Sequence, residues 1–98
     1  MKKLTETFNS MTVKKGEEFT IDLETNPSTG YSWDVAVTSG QARKISQDFT
    51  KPATAMGSSI RDIQTYKSDQ VGDVEIIARY KNFMGSVSKT VTFKVTVQ

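Results

Sequence analysis

Neither histidine nor cysteine occurs among the 98 residues, so the commonest general base, the thiol nucleophile and the usual zinc ligands are missing together. Carboxylates, lysines and hydroxyls are what remains for chemistry. The carboxylates that lie near one another do not make a catalytic pair. Glu17 and Glu18 share a turn, Asp22 and Glu24 alternate onto the solvent face of a strand, and Asp69 and Asp73 flank a second turn. Gly57 is a lone glycine, and Lys51 does not stand where a phosphate-cradling loop would need its lysine. With no activated nucleophile or base to assemble, the sequence argues against an enzyme and calls for no metal and no cofactor. A binding or a purely structural role is what remains.

The stretch best suited to binding is Asn26-Pro27-Ser28-Thr29-Gly30-Tyr31-Ser32-Trp33. Pro27 fixes its own φ and keeps Asn26 out of the α region, so two consecutive residues are restricted before any tertiary contact forms. Asn followed by Pro suits a type I turn, in which the Asn side chain bonds back to the backbone. Gly30 permits a positive φ at the exit. Tyr31 and Trp33 then fall on one face of the strand that follows, and one of these rings is expected to tie the loop to the core.

The elements that must hold this loop read as short strands. Phe19, Ile21 and Leu23 alternate with Thr20, Asp22 and Glu24 after a turn at Lys14 to Glu17, within a strand-like run from Thr12 to Glu24. Trp33, Val35 and Val37 form a second half-buried strand that ends at Ser39-Gly40. Arg43 to Phe49 predicts a short edge strand with Ile45 pointing inward. Thr50 to Ser59 has no strand periodicity and reads as a long exposed loop. Strand character returns from Ile60 to Tyr66, breaks at Ser68 to Asp73, and resumes with Val74, Ile76, Ala78 and Tyr80 on one face and Ile77 out of phase. Lys81 to Gly85 is a turn that displays Phe83 and Met84, two large apolar side chains where turns usually carry polar ones. Val87, Val91, Phe93, Val95 and Val97 give the most regular period-two run in the chain.

About seven to eight short antiparallel strands with no helical spacing predict an all-β sandwich. Trp33, early in a central strand, resembles the core tryptophan of immunoglobulin-like domains, without their cysteine pair. The length predicts a single domain over residues 1–98. Basic and acidic residues number 13 and 11 and are interspersed, so nucleic-acid binding is not implied. No apolar run reaches membrane-spanning length, and a monomer is expected. Met1 to Leu4 begins like a signal peptide, but Thr5, Glu6 and Thr7 follow where an apolar run is required. The compartment stays open, a mature secreted or periplasmic form included. In a sandwich with strands lettered B to G from Glu17 onward, the B–C loop (Asn26 to Gly30), the D–E loop (Thr50 to Ser59) and the F–G loop (Lys81 to Gly85) share one end.

The run from Asn26 to Trp33 resembles the Asn-Pro-Thr-Thr-Gly-aromatic-x-Trp signature of the chagasin-type inhibitors of papain-like cysteine peptidases. Length and strand order agree with that family across nearly the whole chain. The resemblance implies an immunoglobulin-like sandwich whose B–C loop enters the peptidase cleft while the D–E and F–G loops straddle it. By position, Asn26, Pro27, Ser28, Thr29, Gly30 and Tyr31 would make the central contact, with Ser28 and Thr29 facing the catalytic cysteine. Ser28 replaces the usual threonine with loss of a methyl. The glycine-rich D–E loop of the family corresponds to Met56, Gly57 and Ser58, which keep one glycine. Its Arg-Pro-Trp in the F–G loop corresponds to Lys81, Asn82 and Phe83, which keep the charge and the aromatic ring but not the proline. Phenylalanine offers less stacking area than tryptophan and lysine lacks the planar fork of arginine, so weaker binding or a shifted peptidase preference is expected. The competing reading is an adhesive or structural immunoglobulin-like module, in which the same loop is only a stable turn.

Overall fold

The computed structural model describes residues 2–51 and 60–98, and its strands are β1 (Lys2–Leu4), β2 (Ser10–Val13), β3 (Glu18–Thr25), β4 (Tyr31–Ser39), β5 (Arg43–Thr50), β6 (Ile60–Lys67), β7 (Gly72–Asn82) and β8 (Val87–Val97). They form two four-stranded sheets, in the orders β1-β3-β6-β5 and β2-β8-β7-β4. In immunoglobulin lettering these are A-B-E-D and A′-G-F-C, the arrangement expected of the sandwich.

Alternation in sequence becomes burial in space. Phe19, Ile21 and Leu23 of β3, Val74, Ile76 and Ala78 of β7, and Phe93, Val95 and Val97 of β8 are all buried between the sheets. Ile77, out of phase in the sequence, is half-buried on the outer face of β7, where it pairs with Ala36 and Thr92. Asp22 lies on the outer face of β3 as expected, yet it is only 8% exposed because Arg61 and Lys3 cover it with ion pairs of 2.7 and 3.4 Å. Gly40 closes β4 with φ 78°, and a Cβ there would collide with the backbone carbonyl of Asp73. Only glycine satisfies both conditions.

Three features depart from the sequence-based expectation. Lys2–Leu4, where the sequence showed only a charged start, is a strand that runs parallel to β3, and β2 runs parallel to β8. Leu4 and Val13 from these short pieces are completely or almost completely buried. Segments of three and four residues are too short for periodicity to identify them. The second departure is Ile45. In β5 Lys44 pairs with Tyr66 and Ser46 with Thr65, so Ile45 is the extra residue of a bulge and is 46% exposed rather than inward. The edge position of β5 does follow the expectation, since among the described residues its hydrogen-bonded neighbour is β6 alone.

The third departure is from the general rule that inward positions are apolar: β6, whose faces the sequence pattern did not assign, turns Asp62, Gln64 and Tyr66 toward the interior, each 2–3% exposed. Their polar atoms satisfy one another. Gln47 Nε2 and Gln64 Nε2 donate to Asp62 Oδ1 at 3.0 and 3.4 Å, and the Tyr66 hydroxyl donates to Gln64 Oε1 at 2.8 Å. No buried side-chain nitrogen or oxygen among the described residues lacks a partner, which is the condition for tolerating such a cluster.

Burial pushes the Asp62 carboxyl above its ordinary value of 3.8, while the hydrogen bonds from Gln47 and Gln64 oppose the rise. A carboxyl with a raised folded-state pKa favours folding below its ordinary pKa, and that contribution is lost as pH rises through the folded value. Asp62→Asn retains the accepting oxygen and removes the titration. Urea unfolding at pH 3.5 and pH 7 should therefore show the variant gaining on the parent protein as pH rises. An equal stability gap at the two pH values would mean that Asp62 titrates as it does in the unfolded chain.

Candidate functional site

Between β3 in one sheet and β4 in the other, the B–C loop closes on itself. Pro27–Thr29 form a single turn of 3-10 helix. The Asn26 carbonyl accepts the Thr29 N–H at 3.1 Å and the Thr29 hydroxyl at 2.7 Å. Ser28 Oγ donates to Asn26 Oδ1 at 2.7 Å. Gly30 has φ 78°, the conformation expected from its place at the exit. Ser28, Thr29 and Gly30 are exposed and Asn26 is half-buried. The result is a short projection whose polar groups are spent largely on holding its own shape.

Its two stems are braced by aromatic side chains. Trp33, 7% exposed, donates its indole N–H to the Glu24 carbonyl at 2.8 Å and so joins the exit strand to the entry strand. Tyr80, at the inward position of β7 opposite Trp33, packs its ring against Trp33 and Tyr31 with centroids 4.8 and 5.4 Å away. The Tyr80 oxygen accepts the Asn26 N–H at 3.0 Å. Burial raises the Tyr80 phenol, but the Asn26 N–H, the Thr25 and Thr29 hydroxyls and the Lys89 charge outweigh it and hold the group below its ordinary value. Lys89 Nζ lies 5.5 Å from the Trp33 ring and 5.4 Å from the Tyr80 ring, and is tied to Glu6 at 3.4 Å.

Strand register brings the neighbouring loops to the same end. Thr25 at the loop's entry pairs with Ile60, where the D–E loop ends, and Tyr31 at its exit pairs with Asn82, where the F–G turn starts. In that turn Phe83 and Met84 are 90% and 78% exposed. Asn82 replaces proline as the stiffening element, since its Oδ1 accepts the N–H groups of Met84 and Ser86 at 3.0 and 2.9 Å. Lys81 extends over the outer face of the sheet to Asp34, at 3.0 Å, and both partners are about half exposed. Met56, Gly57 and Ser58, the expected D–E contacts, lie outside the described residues, as does most of the Thr50 to Ser59 loop. Beneath the B–C loop a groove of about 570 Å³ is bordered by Glu6, Glu24, Arg61 and Lys89.

Residues 12–97 match the family model described as Chagasin family peptidase inhibitor I42. The chain belongs to the chagasin family. Among solved structures, this chagasin-family chain is similar to the cysteine protease inhibitor EhICP2 from Entamoeba histolytica, with 24% identity, a TM-score of 0.83, and coverage of 99% of this chain and 94% of that one. It is similar to Amebosin, known from a solution structure, at 30% identity and a TM-score of 0.73, covering 98% and 96%. PbICP-C, solved in complex with falcipain-2, is 23% identical with a TM-score of 0.64, covering 98% and 89%. No curated protein sequence matches the chain. Members of the chagasin family are peptidase inhibitors and not enzymes.

Sequence reasoning anticipated the shaped loop and the exposed phenylalanine but missed three residues that brace the loop: Tyr80, Lys89 and Glu24. Tyr80 left a trace in the sequence. It is a phenol ending the otherwise aliphatic face Val74, Ile76, Ala78, and buried tyrosines usually have a partner for the hydroxyl.

A side chain at Gly30 would meet no neighbour within 4 Å, so substitution there acts through backbone angle alone. Gly30→Ala should lower stability by about 1–2 kcal/mol, with Gly30→Asn milder and Gly30→Val worse. Thermal melts of the three variants check the order. Equal melting temperatures for Ala and Val would show that the loop escapes to another conformation.

Proposed function

We propose that Asn26 to Tyr31 enters the active-site cleft of a papain-like cysteine peptidase and occludes it reversibly and competitively. The inhibitor needs no chemistry of its own. Family membership supplies the activity, and the observation that carries the assignment to this loop is its combination of exposed Ser28 and Thr29 with a self-bonded backbone. A loop already in its bound shape loses little conformational freedom on docking. It is also a poor substrate, because cleavage requires the backbone to extend across the catalytic cysteine.

Phe83 is the second contact in this reading, beside the loop and stacked on an aromatic or apolar surface at the rim of the cleft. Asn82 presents that ring, while Lys81 keeps its charge on the same flank. By the family resemblance, Met56, Gly57 and Ser58 would supply the third contact. The pair Lys81 and Asp34 is no obstacle to engagement, since ion pairs at this exposure are worth about 0–1 kcal/mol.

Titration of papain with the purified protein should give competitive inhibition that is relieved on dilution, with the bond between Ser28 and Thr29 intact after prolonged incubation. Inhibition that decays in step with scission of this bond would make the chain a slow substrate instead. Phe83→Ala should weaken inhibition by roughly thirtyfold, or about 2 kcal/mol, while stability moves by no more than about 0.5 kcal/mol. Phe83→Trp should hold or improve affinity by enlarging the stacking face. If Phe83→Ala leaves the inhibition constant unaltered, the F–G turn lies outside the contact.

A further inference from the structure

We propose that Tyr80 is the positioning residue of the inhibitory loop, its phenol oxygen fixing the loop's entry at Asn26 while its ring fixes the exit at Tyr31 and Trp33. The proposal rests on the inhibitor reading above and adds the device that gives the loop its shape. As a core residue alone, position 80 has no use for a hydroxyl. It continues the aliphatic face of Val74, Ile76 and Ala78, and a phenylalanine would pack against Trp33 equally well. The oxygen accepts the backbone N–H of Asn26, the first residue of the loop, at 3.0 Å.

The origin of the side chain matters as much as its end. Tyr80 belongs to β7, which is hydrogen-bonded on both sides, by β8 and by β4. The loop's entry comes from β3 in the opposite sheet, so the phenol carries the position of one sheet's central strand to the backbone leaving the other. Lys89, paired with Tyr80 across β7 and β8, covers the ring face and is itself held by Glu6. Rotation of Tyr80 away from Asn26 would break the contacts with Tyr31, Trp33 and Lys89 together.

Tyr80→Phe tests the oxygen alone, because the ring and its stacking remain. Tyr66→Phe is the control, since it deletes another buried hydroxyl, donated to Gln64 at 2.8 Å, in the polar cluster of β6. Hydrogen exchange of the Asn26 amide reports loop order without any peptidase, and dissociation from papain reports its consequence. In Tyr80→Phe both the exchange rate and the dissociation rate should rise by about tenfold, the upper range for a single hydrogen bond. Tyr66→Phe should lower the melting temperature and leave both rates unchanged. Unchanged Asn26 exchange in Tyr80→Phe overturns the proposal, as does faster exchange with unaltered dissociation. Equal acceleration in Tyr66→Phe also overturns it, because general destabilisation would then account for both variants. If the parent protein fails to inhibit papain at all, the inhibitor reading falls, and the exchange measurement by itself still decides whether Tyr80 holds the loop.

Discussion

The indole N–H of Trp33, bonded to the Glu24 carbonyl, is the constraint on which the loop end of the molecule depends. The B–C connection has to cross from one sheet to the other in five residues, and its two stems would otherwise diverge with the sheets they belong to. A buried tryptophan that reaches across and bonds the backbone of the entry strand fixes their separation. Tyr80 then packs on the indole and bonds Asn26, and Tyr31 packs on Tyr80. Each of these contacts assumes the previous one. The loop's outward shape is thus set from below, and its exposed residues need only bond among themselves.

An inhibitor built this way differs from an enzyme in what burial is for. An enzyme buries polar groups to make them reactive, whereas here the buried polar side-chain atoms among the described residues are matched with partners. Trp33, Tyr80 and the cluster around Asp62 each have their hydrogen bonds within the fold. Among the described residues, those facing outward on the B–C and F–G loops include the hydroxyls of Ser28 and Thr29, Gly30 and the side chains of Phe83 and Met84. The rigidity of this surface has two local sources, proline with a self-bonded turn in the B–C loop and the Asn82 side chain in the F–G loop.

Polar residues inside β6 show how the same sandwich accommodates a strand whose sequence does not alternate. Asp62 and Gln64 occupy inward positions next to the edge strand β5, where Gln47 reaches in to meet them. At the centre of the core such a pair would be prohibitive. Near an edge, with a neighbouring side chain that brings a donor, it is satisfied. The bulge at Ile45 belongs to the same region, since it re-phases β5 against β6 and leaves an apolar side chain exposed.

The strands of the central core were legible in the sequence because their side chains have one neighbour environment per face. A period of two in β3, β4, β7 and β8 can only be satisfied by a half-buried sheet, and the turns between them carry glycine, proline or asparagine where the backbone demands it. The loop from Asn26 to Gly30 was legible for a related reason, since Pro27 and Gly30 restrict or permit φ through local sterics alone. What lay beyond the sequence depends on partners distant along the chain. Lys2–Leu4 is a strand only because β3 offers it an edge, Ile45 is exposed only because β5 and β6 slip by one residue, and Asp62 is tolerable only because Gln47 lies beside it. The role of Tyr80 is the clearest case, for its oxygen bonds a residue 54 positions away, in the loop that leaves the opposite sheet. No local pattern encodes that meeting, because it exists only once the two sheets have stacked.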